Sequence, residues 1–158
     1  MLNRSIYLTG NAFMLISVWR TMLGTWLGAV LLVISLPWSK FDARPHWENV
    51  RLLPLHDLTL DPTIWVEYAL NILAFVPVGY LAVRSASQRS RKPMVAALLL
   101  GLCSSVGIEV YELFCQDRVP STTDILTNVG GTGIGVWLAC AIDQVLAFFN
   151  LKARRLPA

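Results

Sequence analysis

Charge is scarce in this chain. Asp, Glu, Lys and Arg make up 15% of its 158 residues, against roughly 25% in ordinary soluble domains. That leaves no room for a separate soluble domain beside the rest. Cysteine is limited to Cys103, Cys115 and Cys140, an odd number without metal-ligand spacing, which excludes a disulfide framework and a cysteine metal cluster. Histidine is limited to His46 and His56, with no Ser-His pair and no zinc motif, so neither nucleophilic nor metal-dependent hydrolysis has its usual residues. Both histidines fall between the first two apolar runs and are expected to be solvated, with no metal bound. The glycines after Asn128 follow no strand and lack the lysine of a phosphate loop, which excludes nucleotide binding of that kind. No cofactor is expected.

What the chain has instead is long apolar runs. Apolar residues make up 55% of it, and the mean hydropathy is +0.56. Residues 21–38, 64–83, 94–114 and 125–149 form four runs, each near the roughly 20 residues that a helix needs to cross a bilayer. The first can be traced back to Asn11 with Arg20 interrupting it, and the last is long enough to tilt. Core helices of a soluble protein would show an apolar stripe with charges opposite, whereas these runs are apolar nearly all round. The expectation is therefore all-α: a polytopic membrane bundle of four transmembrane helices, residues 1–158 forming a single domain. The first 20 residues superficially suggest a secretory signal, but no small-residue cleavage site follows and Arg20 ends the short apolar stretch. They are expected to stay uncleaved.

The basic residues orient the bundle. The N-terminal stretch (Arg4, Arg20), the second loop (Arg84, Arg89, Arg91, Lys92) and the tail (Lys152, Arg154, Arg155) hold nine of the 13 Lys and Arg. The first loop (Lys40, Arg44, Arg51) and the third (Arg118) hold the other four. The positive-inside rule then predicts both termini inside, and the first and third loops outside. The net charge of +3 is read as a topology signal and not as a nucleic-acid surface.

With this topology the polar residues inside the runs fall at one depth. Glu67 and Asn71 lie in the outer half of the second run, Glu109 and Glu112 near the outer end of the third, and Asp124 and Asn128 at the outer start of the fourth. Spacings of three or four residues put each pair on one helix face. Asn71, Glu109, Glu112, Arg118, Asp124 and Asn128 are accordingly expected to form one outward-facing polar pocket, with Glu67 at the water interface. Arg118 is the one nearby cation in this reading. Four carboxyl groups against one guanidinium imply that a carboxyl holds a proton, or that a cation or cationic ligand completes the site. Two small-xxx-small pairs, Gly24/Gly28 and Gly131/Gly135, predict close helix packing. Pro77 predicts a tolerated kink in the second run. Residues 52–60 are expected to lie along the membrane interface as a roof over the pocket.

Asn71-x3-Phe75-x-Pro77-x-Gly79, then Glu109-x2-Glu112, Arg118, Asp124, Asn128 and the run Gly130–Gly135, resemble the VanZ-like family of bacterial membrane proteins. Asn49-Val-Arg-Leu-Leu-Pro-Leu55 resembles that family's stretch ahead of its second span, and the likeness covers residues 47–138. Glu112 departs from the pattern, since a glutamine usually stands there. The resemblance implies a small multi-pass protein of the bacterial cytoplasmic membrane with a role in the cell envelope. The family's namesake is associated with resistance to the glycopeptide teicoplanin.

Three functions are open at this stage. The first is a non-catalytic envelope factor that binds an outer-leaflet lipid or glycan, or the antibiotic, in the pocket. The second is an outer-leaflet enzyme using Glu109 or Asp124 as acid or base, with Arg118 holding a phosphate or carboxylate. The third is a subunit of a larger membrane complex, with a membrane-protein partner. The first is the expectation carried forward.

Overall fold

The computed structural model describes residues 2–36, 40–55, 62–86 and 92–155, with side chains for 14–36, 40–55, 62–86 and 92–149. It comprises α1 (Leu2–Ser35), α2 (Pro62–Ser85), α3 (Pro93–Glu112) and α4 (Thr122–Arg155), with a short 3-10 turn at Trp47–Asn49. Among the described residues there are two isolated β-bridges and no strand. The segments Met14–Ser35, Pro62–Ser85, Pro93–Glu112 and Thr122–Phe149 are each long and apolar enough to cross a membrane.

Two sequence expectations for α1 need correction. Arg20 does not interrupt the helix, because its Nε reaches along the bundle and donates to the Ser85 carbonyl at the end of α2 (3.3 Å). A long basic side chain can thus keep its stem among apolar groups while its head finds a polar partner. The helix also stops at Ser35 and not at Trp38. Leu36 precedes Pro37, and the residue before a proline is driven out of the helical region. Trp38 lies outside the described residues.

α2 and α4 make the closest pair in the bundle, and glycine is the reason. A Cβ on Gly131 would collide with the Ile72 carbonyl, one on Gly135 with the Val76 carbonyl, and one on Gly79 with the Thr132 carbonyl. Bare backbones therefore meet, as small residues permit between membrane helices. α3 joins through Gly101, which lies against the Thr132 side chain. The Gly24/Gly28 pair does not behave this way, since nothing lies within 4 Å of either Cβ position. α1 leans on the bundle through Leu23, Leu27, Val30 and Ile34 against Phe75, Val78 and Ile108. A step of one residue turns a helix by about 100°, so the glycines face away from that seam.

The bundle is apolar outside and partly polar within. Val33, Leu73, Trp137 and Phe148 are more than 60% exposed, while Ser105, Thr123, Asn128 and Thr132 are at most 3% exposed. In lipid this arrangement leaves the apolar surface solvated and pairs most of the polar groups inside, Asn128 Oδ1 having no hydrogen-bond partner among the described residues. Asn128 Nδ2 donates to Ser105 Oγ (3.0 Å), and Thr132 Oγ1 donates to the Asn128 carbonyl (3.0 Å). α2 continues as one helix through Pro77. Pro77 cannot bond the Leu73 carbonyl, and one residue further on the indole of Trp26 donates to the Ala74 carbonyl (2.8 Å), a neighbour supporting the weakened ladder.

Loops one and three share an end of the bundle. Asp42 N donates to Phe114 O (2.7 Å), His46 N to Leu113 O (2.8 Å), Gln116 N to Lys40 O (3.0 Å), Arg51 N to Pro120 O (2.9 Å) and Thr122 N to Arg51 O (3.1 Å). The opposite end is held by the Arg84–Asp143 ion pair (2.6 Å) and by Trp19 set edge-on to Tyr80.

Candidate functional site

The site is built around the start of α4. Ser121 caps that helix, its Oγ accepting from Thr123 N (3.1 Å), and Asp124 stands in the first turn. Ser-x-x-acid at a helix start often forms a reciprocal capping box, in which the acid takes the cap's own N–H. Here Glu109, 8% exposed on α3, takes that N–H instead: Ser121 N donates to its Oε2 at 2.7 Å. Asp124 is thereby left to face α2, where Asn71 Nδ2 donates to its Oδ1 (2.9 Å). The negative side chain also sits favourably at the positive end of the α4 dipole.

Arg118 lies between helices. It is 3.8 Å from Glu112 Oε1, and its Nη2 donates to the Ile34 carbonyl (3.4 Å). Tyr111 Oη donates to the neighbouring Ser35 carbonyl (3.1 Å). Both carbonyls belong to the last turn of α1, where a helix has no internal partners and favours a cation.

Between these elements lies a polar cleft of about 240 Å³. Glu112, Arg118 and Asp124 line it, and so does Glu67, which the sequence reading set apart at the interface. Glu109 lies behind Ser121, Asn71 reaches the cleft through Asp124, and Asn128 lies deeper, on Ser105. Arg51, Tyr68, Asp117 and Ser121 complete the polar wall and were not found from the sequence. Arg118 is therefore not the one cation of the site. Arg51 is brought there by its bridge to Ser121, a pairing of residues 70 apart that no helical period can reveal. Only the Ser121-x-x-Asp124 cap was a readable signal.

The first loop supplies more of the roof. Thr122 Oγ1 donates to the Leu52 carbonyl (2.9 Å), and Leu55 N donates to Thr123 Oγ1 (2.9 Å). Leu52, Leu53 and Leu55 are at least half exposed. The remainder of the expected interfacial segment, and His56, lie outside the described residues. His46 is engaged within the loop, 3.3 Å from Glu48 and 3.9 Å from Asp42. The Glu48 carboxyl is held below its usual range by a bond from its own backbone N–H, then by His46.

Beside the cleft runs an apolar groove of about 350 Å³ between α1 and α2, lined by Trp26, Ala29, Val30, Val33, Ile34, Leu70, Ala74 and the polar Asn71.

Fold and site together define a multi-pass membrane protein whose four helices carry a polar cleft at one end. The chain belongs to the VanZ/LLP1 family, whose sequence profile matches residues 18–143. That match takes in the second half of α1, beyond the residues that carried the resemblance. No curated protein and no solved structure matches the chain.

Proposed function

We propose that this protein is a non-catalytic factor of the bacterial cytoplasmic membrane that binds an outer-leaflet envelope lipid or glycan. The observation that carries the reading is the polar cleft itself. Glu67, Glu112 and Asp124 on three helices meet Arg51 and Arg118 from two loops, and charged groups gathered within a membrane domain mark a ligand site by default. The positive-inside count supports a cleft that faces outward. A second reading has support in particular contacts: Arg118 on the end of α1 and Glu109 on Ser121 would equally brace one end of a subunit in a membrane complex.

The test is the teicoplanin inhibitory concentration in a sensitive host expressing wild type, Glu112→Gln, Arg118→Ala or Asp124→Asn, with membrane abundance measured for each. Resistance conferred by wild type and lost in the variants at normal abundance is the expected result. Variants that vanish from the membrane favour the bracing role. A well-expressed wild type without effect removes glycopeptide resistance from the proposal and turns the search to the host's own envelope lipids.

A further inference from the structure

The groove and the cleft are two parts of one surface. Asn71 lines the groove, and its amide holds Asp124 on the cleft wall. Ile34 lines the groove on α1, and its carbonyl accepts from Arg118, which lines the cleft. A third cavity of about 260 Å³ shares Ile34 with the groove and Asp117 and Arg118 with the cleft. An apolar groove and a charged cleft thus adjoin through Asn71–Asp124 and Ile34–Arg118, and the molecule that such a pair of surfaces suits is an amphiphile.

The charges narrow the headgroup. Glu67, Glu112, Asp117 and Asp124 line the cleft against Arg51 and Arg118, and Asp117 is paired with Lys40. Among the described residues the carboxyl groups lining the cleft outnumber its guanidinium groups, which disfavours a purely anionic headgroup. The two guanidinium groups that line the cleft offer the fork geometry that suits a phosphate. A headgroup with a phosphate and an ammonium a few bonds apart satisfies both sides. A primary ammonium can donate hydrogen bonds to Glu67 and Asp124, whereas a quaternary one cannot.

Resting on the reading of the cleft as a lipid site, we infer that groove and cleft together bind one membrane phospholipid, its acyl chain between α1 and α2 and its phosphoethanolamine headgroup in the cleft. The phosphate lies toward Arg51 and Arg118, and the ammonium toward Glu67 and Asp124.

The experiment is native mass spectrometry of the full-length protein in neutral detergent, titrated with phosphatidylethanolamine, phosphatidylglycerol and phosphatidylcholine of identical chains. Phosphatidylethanolamine should bind about tenfold more tightly than the other two, the worth of one or two charge-assisted hydrogen bonds. Glu67→Gln, an isosteric change at an exposed position, should bring it down to the level of phosphatidylcholine. Arg118→Gln should weaken all three lipids, as should Ala29→Leu, which narrows the groove without touching the cleft. Water-soluble phosphoethanolamine should fail to displace the lipid. Equal or tighter binding of phosphatidylglycerol or phosphatidylcholine overturns the headgroup assignment, while saturable binding that still depends on Arg118 upholds the lipid site beneath it. Displacement by soluble phosphoethanolamine, with Ala29→Leu indifferent, overturns the place of the chain. No saturable binding of any lipid overturns the inference and leaves the proposed function with a glycan as the ligand, which the resistance test addresses separately.

Discussion

Ser121 is held from two sides: its hydroxyl closes the first turn of α4, and its N–H is taken by Glu109 from α3. Removing the acceptor leaves that part-buried N–H without a partner, which costs about 1–3 kcal/mol. Glu109→Ala is therefore expected to lower the unfolding temperature in detergent and the amount in membranes. Glu109→Gln keeps an oxygen for the bond and should be close to wild type in both. A Gln variant of normal abundance that loses function would show that the carboxyl group itself is needed, beyond bracing Ser121. At this scale the sequence was informative where helical spacing governs. The three-residue interval puts Glu109 and Glu112 on one face of their helix, and the order of the spans put Asp124 at the same depth. Which of them faces the cleft was not readable, because the switch of the Ser121 N–H from Asp124 to Glu109 is a contact between elements. Arg51 and Asp117 were missed because loop residues have no period, and only hydrogen bonding between loops 40–55 and 113–121 brings them in.

At the scale of the element, two identical patterns have opposite fates. Gly131 and Gly135 let α4 touch the α2 backbone, while Gly24 and Gly28 sit on a face of α1 with nothing within 4 Å. Gly131→Leu or Gly135→Leu would drive a side chain into a main-chain carbonyl that cannot rotate away. The expected loss exceeds the ~1–3 kcal/mol typical of overpacking a core, and the protein should fail to accumulate. Gly24→Leu and Gly28→Leu meet open space, and their unfolding temperature in detergent should match wild type. The four helices were legible in the sequence because a span needs one simple property, about 20 apolar residues. Partner choice was not. A small-xxx-small pair states that close approach is possible, and whether it occurs depends on the face presented to a neighbour. On α1 the seam is set by Leu23, Leu27, Val30 and Ile34, which turns the glycines outward.

For the whole molecule, the structure groups the cleft with the first and third loops, away from the Arg84–Asp143 pair and the start of the second loop at Ala86. Packing does not set which side is outside, since a bundle of four spans is equally well packed either way up, and the outward cleft is a proposal that rests on the charge count. The 13 Lys and Arg divide nine to four against the cleft side, and short loops rich in Lys and Arg stay in the cytoplasm. The arrangement can be measured directly. In a background with Cys103, Cys115 and Cys140 replaced by serine or alanine, single cysteines at Glu48 and Gln116, both exposed on the cleft side, should react with a membrane-impermeant maleimide on intact cells. One at Lys92, exposed at the other end, should react only after permeabilisation. The reverse pattern would put the cleft in the cytoplasm, where outer-leaflet lipids and glycopeptides are absent, and the proposed function would fall while the helices and the cleft kept their geometry. The expected pattern would instead leave ligand identity as the remaining question, since a site open to the outer leaflet meets headgroups at high local concentration and needs only modest affinity to stay occupied.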